Sequence, residues 1–95
     1  MVFYHRTTEK AAAKILKGGF RDGQGRYMTT VTLQGVWVSD VPLDSNEGAK
    51  GHTLLKVSIP VAIIGSYEVV EEGKPYREWV VPAAILNENG KTQVV

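Results

Sequence analysis

The stretch FYHRTTEKAAAKILKGGF, residues 3–20, decides the fold class because a strand passes into a helix within it. Aromatic and β-branched side chains in residues 2–6 favour the strand. Alternation along that strand places Phe3, His5 and Thr7 on one side. The sequence therefore predicts that one of only two histidines in the chain stands near the end of a strand, just before a helix.

The helix has recognisable start and stop signals. Thr7 or Thr8 can cap its N-terminus, and the pair Gly18-Gly19 supplies a left-handed stop. One face carries an apolar stripe that consists of Ala12, Ile15 and Leu16. Because this stripe has helical spacing, we predict an amphipathic helix directly after the histidine strand.

Size and charge restrict the classes of function. A chain of 95 residues predicts one domain, 1–95. With 11 basic and 10 acidic side chains the net charge is +1, so no general attraction to nucleic acid or to a membrane is expected. The absence of cysteine excludes disulfides and thiolate metal sites. No signal-peptide pattern or membrane-spanning run is visible, and we expect a cytoplasmic protein.

The remaining segments alternate short apolar runs with turn-forming residues. We predict strands at 35–40, 52–60, 62–72 and 76–82, a short strand at 28–33, a helical turn at 83–86 and a last strand near the C-terminus. The fold class that follows is α+β, with small, mostly antiparallel twisted β-sheets and one N-terminal helix.

Three side chains on different predicted strands are candidates for chemistry. His5 can equally be a half-buried strand histidine bonded to a backbone carbonyl, and Trp37 can be a core residue. Glu78 can pair with a lysine on an edge strand. Acids are depleted in strands, however, and a rigid strand is where a protein best holds a group for a ligand. Both explanations stay open for each residue.

Together the pieces YHRTT, GVWVSD and REWVV resemble the H-Y-E pattern of the ADP-ribosyltransferase superfamily, as in diphtheria-type toxins and poly(ADP-ribose) polymerases. Their order and the helix after the histidine strand also agree. The resemblance implies a split β-sandwich and a small, toxin-like enzyme. Such an enzyme cleaves the nicotinamide–ribose bond of NAD+ and transfers ADP-ribose to a macromolecular or small acceptor. Arg6 stands where the family commonly has glycine, and Trp37 where it usually has tyrosine.

The resemblance implies a role for each matching residue. Glu78 would be catalytic, stabilising the positive charge that builds on the ribose, as in glycoside cleavage. His5 would hold a ribose by hydrogen bonds, with help from Thr7. Trp37 would stack on the nicotinamide ring, and Ser39 would bond its carboxamide.

Further expectations concern the diphosphate and the acceptor. Arg6, or Arg26 from the Gly-rich loop, would meet the diphosphate through forked hydrogen bonds. Family members that modify arginine usually carry a glutamate two residues before the catalytic one, where this chain has Tyr76. The oxygen donors in 40–47 lack the EF-hand spacing, so no metal site is predicted.

Two alternative functions stay open. One is a non-catalytic NAD- or ADP-ribose-binding module that keeps the fold and its pocket. The other resembles the RNA 2′-phosphotransferases, which need several arginines around the site; the balanced net charge disfavours them.

Overall fold

The computed structural model describes residues 1–27, 31–42, 51–70 and 72–95, with residues 23–27 and 31–34 described by their backbone alone. Within these ranges the strands are β1 (Val2–Thr7), β2 (Gly23–Tyr27), β3 (Val31–Ser39), β4 (Thr53–Ser58), β5 (Glu68–Val69), β6 (Glu78–Val81) and β7 (Lys91–Val94). The helices are α1 (Glu9–Gly18), α2 (Val61–Ile64) and α3 (Ala83–Asn89), with a 3-10 turn, Gly65–Tyr67, after α2. The predicted α+β class is confirmed. The prediction of a single N-terminal helix is wrong, since the described chain has three.

The strand–helix unit that opens the chain forms as the sequence predicts. Thr8 is the residue that caps α1, because its Oγ1 accepts a hydrogen bond of 3.1 Å from the Ala11 N–H. At the other end the Gly19 N–H donates to the Ile15 carbonyl at 2.8 Å. Gly19 has a φ of 90°, which a residue with a side chain rarely adopts. The helix therefore ends where the glycine pair begins to turn the chain.

The strands form one open antiparallel sheet in the order β5-β6-β3-β1-β4-β7, and β2 pairs with the first part of β3. In the described residues β1 and β3 share one register pair, Tyr4 opposite Ser39. By contrast, β1 pairs with β4 along its whole length, from Val2 to Thr7. We call the β1–β3 boundary the seam. It separates a first half-sheet (β1, β4 and β7) from a second half-sheet (β2, β3, β5 and β6).

The core lies on one face of the sheet. The strands contribute Phe3, Val36, Val38, Leu55, Val57, Trp79 and Val81 to this core. The rings of Phe3 and Trp79 meet edge to face across the seam, with centroids 4.8 Å apart. Ala12 of α1 and Leu86 of α3 are buried in the same core. The contact between the rings joins the two half-sheets where backbone pairing is sparse.

The strand predicted at 62–72 is wrong. Residues 61–67 form α2 and the 3-10 turn, and β5 contains just two residues. Pro60, with a φ of −61°, starts the helical turn. One turn buries Ile64 completely, whereas Val61 and Ile63 stay 42% and 36% exposed. Of these four consecutive apolar residues, only Ile64 is therefore buried in the core. An unbroken apolar run shows neither helical nor strand periodicity, so the sequence does not indicate which of its residues is buried.

The glycine-rich segment after α1 contains more strand than the sequence predicts. β2 pairs with β3 from Gly23 opposite Gly35 to Tyr27 opposite Val31. Residues 28–30 lie outside the described residues, so the strand predicted at 28–33 is seen from Val31 onward as part of β3. Glycine is depleted in strands, which is why the sequence favours a loop here.

Candidate functional site

A cleft of about 890 Å³ lies between α1 and the start of the seam. His5 lines it from β1, and Gly35, Val36 and Trp37 line it from β3. The opposite wall is the C-terminal half of α1 and the turn that follows the helix. Ligand pockets commonly have volumes of roughly 300–1,000 Å³. The cleft is therefore large enough for a nucleotide-sized molecule.

His5 is held in one orientation at the edge of this cleft. Its Nδ1 donates a hydrogen bond of 2.7 Å to the Trp37 carbonyl across the seam. Its ring also meets the Phe20 ring edge to face, with centroids 5.5 Å apart. Because a carbonyl can only accept, the proton of the neutral ring lies on Nδ1. Nε2 is then the nitrogen that can accept a hydrogen bond.

The charge state of His5 follows from its surroundings. Burial lowers the pKa of His5 below 6.5, and the bond to the Trp37 carbonyl opposes that shift without cancelling it. The imidazole is therefore neutral at pH 7. A neutral imidazole with Nε2 free of a proton suits a hydroxyl donor, which is the role that the family resemblance implies.

Trp37 is half-buried on β3 and lines the cleft. In the register of β3 and β6 it lies opposite Val80, and Ser39 lies opposite Glu78. Paired residues share a face, so these side chains lie on the face opposite Phe3 and Val38. His5 lies on the face of Phe3, so the structure places Trp37 and Glu78 on one face of the sheet and the imidazole of His5 on the other. Ser39 is 3% exposed, and its hydroxyl donates to the Val41 carbonyl at 2.6 Å. A carboxamide would meet only the acceptor side of that hydroxyl.

Glu78 lies one strand beyond Trp37 on the same face. The residues Tyr4, Ser39 and Glu78 form one cross-strand row over β1, β3 and β6. The Glu78 side chain is 12% exposed and accepts a bond of 2.8 Å from Lys74 Nζ. Lysine pairing is the structural explanation that the sequence leaves open. Glu78 does not contribute to the walls of the cleft that the described residues form.

Two hydrogen bonds, one to a side chain and one between backbone groups, join two of the three motifs. Asp40, the last residue of GVWVSD, accepts a bond of 3.0 Å from the Arg77 N–H through Oδ1. Its own N–H donates to the Arg77 carbonyl at 3.1 Å. The Arg77 guanidinium in turn makes two bonds of 2.8 and 2.7 Å to Glu68, which lowers the pKa of that carboxyl. These bonds therefore fix Glu78, the first residue of β6, beside the end of β3.

The turn after α1, which forms part of the cleft wall, is held by α3. Asn87 clamps the Phe20 backbone: Oδ1 accepts from the Phe20 N–H at 2.8 Å, and Nδ2 donates to the Phe20 carbonyl at 3.0 Å. Asp22 Oδ1 accepts from the Ala83 N–H at 2.7 Å and so caps α3. These partners stand 67 and 61 residues apart. No local pattern in the sequence indicates either contact.

Arg6 and Thr7 do not line the cleft. They lie opposite Leu54 and Thr53 on β4, and alternation turns Arg6 away from the side of His5. Their predicted roles toward the diphosphate and the ribose stay predictions. The side chain of Arg26 lies outside the described residues, as does most of the 40–47 segment.

Sequence reasoning missed the basic residues that do line the cleft. Lys14, Lys17 and Arg21 stand along its α1 wall. Lys14 and Lys17, three residues apart on α1, share one face of the helix, and this spacing was a signal available in the sequence; Arg21 follows the helix and had no such signal.

Comparison with protein-family models, with curated proteins and with solved structures found no match in any of the three. Among the helices of the described residues, none is long and apolar enough to cross a membrane.

Proposed function

We propose that this protein is an NAD+-dependent ADP-ribosyltransferase. The observation that carries the proposal is the meeting of the three motifs on adjacent strands. YHRTT lies on β1, GVWVSD on β3 and REWVV on β6, and the row of Tyr4, Ser39 and Glu78 joins them at one level of the sheet. Motifs far apart in the chain are thus neighbours in the sheet, which supports the proposal.

The chemistry assigned to each group follows from its surroundings. Nicotinamide leaves the ribose with the bonding electron pair, so positive charge develops on the sugar. Glu78 would stabilise that charge, and Trp37 would hold the departing ring on the face that the two residues share. The ribose hydrogen bond that the resemblance implies for His5 takes no part in this step, because His5 lies beside Phe3 on the other face of the sheet. A nucleophile of the acceptor then bonds to the sugar carbon and loses its proton.

The finer assignments belong to the same proposal. The open sheet with its seam is compatible with the split β-sandwich of the family. A macromolecular or small acceptor, a toxin-like role and a cytoplasmic location are carried over from the resemblance and the sequence.

Nicotinamide release from NAD+ tests the proposal. Glu78→Gln removes the charge and keeps the size of the side chain. Loss of a preorganised charge of this kind costs about 100-fold or more in rate. Glu88→Gln, on the exposed side of α3, is the matched control and should keep the wild-type rate. Equal rates for the two variants, or no release by the wild type with protein, nucleic-acid and small-molecule acceptors, would contradict the proposal.

A non-catalytic NAD- or ADP-ribose-binding module is the second candidate. The observation that favours it is the position of Glu78, which is paired with Lys74 and lies outside the walls of the cleft. Calorimetry with NAD+ and ADP-ribose separates the two functions. Binding of both ligands without nicotinamide release would support the module.

A further inference from the structure

We infer that the α1 wall of the cleft is a phosphate subsite, formed by Lys14, Lys17 and Arg21, which we call the basic rim. The inference goes beyond the proposed function, because the cleft and the Glu78 side chain lie on opposite faces of the sheet, and it names the chemical class of a ligand for the cleft. The ligand carries at least two phosphate charges close together and a hydroxyl group beside them. That hydroxyl donates a hydrogen bond to His5 Nε2.

The first argument is the charge of the cleft walls. Among the described residues that line the cleft, three are cations and none is a carboxylate. His5 adds no positive charge, because burial lowers its pKa. The whole chain has a net charge of only +1, so this excess is local. A groove with walls of one sign concentrates ligands of the opposite sign.

The second argument excludes the ordinary explanation for cations near a helix end. Lysines in the last turn of a helix stabilise the negative end of its dipole. That explains Lys17, which stands in the last turn of α1. It does not explain Lys14, which precedes that turn, or Arg21, which follows the helix.

The nearby carboxylates have other positions. Asp22 accepts the Ala83 N–H and caps α3. Glu9 stands in the first turn of α1, at the opposite end of the helix from Lys17. Among the described residues, no carboxylate therefore forms an ion pair with the rim.

The remaining walls fit the rest of such a ligand. Ile15 and Phe20 give the α1 wall an apolar part, and His5 Nε2 offers a hydrogen-bond acceptor. Two phosphates on the rim, a sugar hydroxyl on His5 and a base on apolar surface together describe a nucleotide diphosphate. The phosphates can come from the donor dinucleotide or from a phosphorylated acceptor, and the rim recognises the same chemistry in both.

The test compares two double variants of equal charge. Lys14→Gln with Lys17→Gln removes two charges from the rim, whereas Lys10→Gln with Lys91→Gln removes two exposed charges elsewhere. We expect calorimetry to show at least a tenfold rise in Kd for inorganic pyrophosphate in the rim variant. The control variant should keep the wild-type Kd. Lys14→Arg with Lys17→Arg keeps the charge and should restore binding, and melting curves verify that all variants fold.

Competition identifies the source of the phosphates. If pyrophosphate competes with ADP-ribose and the rim variant binds both ligands more weakly, the rim holds the diphosphate of the donor. If pyrophosphate binds at the same time as ADP-ribose and the rim variant loses affinity only for pyrophosphate, the rim holds a phosphate of the acceptor. Nicotinamide riboside, which has no phosphate, should bind both variants equally.

Equal Kd values for pyrophosphate in the rim and control variants, or no binding of pyrophosphate by the wild type, would overturn the inference. This outcome is distinguishable from failure of the proposed function. If the protein binds pyrophosphate on the rim but releases no nicotinamide, the phosphate subsite is supported and the transferase proposal is contradicted.

Discussion

Removing the Asn87 clamp should destabilise the protein and loosen the cleft together. Asn87→Ala deletes two hydrogen bonds, one to the Phe20 N–H and one to the Phe20 carbonyl. Each intramolecular hydrogen bond contributes about 0.5–1.5 kcal/mol, so the free energy of unfolding should fall by about 1–3 kcal/mol. In a domain of this size that corresponds to a melting temperature lower by roughly 4–24 °C.

Asn89→Ala is the matched control, on the same helix and two residues later. Asn89 makes one exposed bond of 3.0 Å, to the Ile85 carbonyl within its own helix. Its removal should change the free energy of unfolding by less than about 0.5 kcal/mol, as for most surface substitutions. Urea denaturation followed by tryptophan fluorescence measures both values.

The functional readout uses the ring contact between Phe20 and His5. At a temperature where both variants are folded, Asn87→Ala should bind ADP-ribose more weakly than Asn89→Ala. The reasoning is refuted if the two variants unfold within 0.5 kcal/mol of each other, taken as roughly the error of such comparisons.

Two further predictions concern titration and backbone space. Since folding lowers the pKa of His5, the unfolded chain binds more protons below pH 6.5, and the free energy of unfolding should fall as pH drops through that value. For a single group this slope cannot exceed about 1.4 kcal/mol per pH unit. His5→Gln should remove this slope and His52→Gln should keep it; the same slope in both would contradict the assignment. Gly51→Ala should destabilise the protein far more than Gly73→Ala: both have positive φ, but a Cβ at Gly51 would collide with the Thr7 carbonyl, whereas one at Gly73 meets open space. Denaturation midpoints compare the pair, and equal midpoints would show that the Thr7 contact has no effect.

What the sequence predicts well here is local. The β1–α1 unit carries its own signals, a strand-forming run, the Thr8 cap and the glycine stop, and it forms as predicted. The buried face of β4 and of the residue after it follows from the alternation of Leu55, Val57 and Ile59. Such patterns depend on neighbours in the chain, so they are readable without coordinates.

The parts that could not be predicted depend on distant partners. The clamp of Asn87 on Phe20 joins two unremarkable polar and apolar residues 67 positions apart. The aspartate of GVWVSD is explained by its bonds to Arg77, which are visible only when β3 and β6 are paired. For the candidate site, the sequence indicates His5 and Trp37, but His5 meets only the Trp37 carbonyl at the cleft, and the Trp37 side chain lies on the other face of the sheet. It gives no sign that Glu78 would stand outside the cleft walls.

The seam has a consequence for how the chain reaches its native state. Its two half-sheets are interleaved along the chain, because the connections β1 to β2, β3 to β4, β4 to β5 and β6 to β7 each pass from one half to the other. Neither half is encoded by a contiguous segment, so the assembly of either half requires pairing between distant segments. Pairings between distant segments slow folding, and here they also couple the halves. We expect a single cooperative transition, with no truncated fragment that retains half of the sheet.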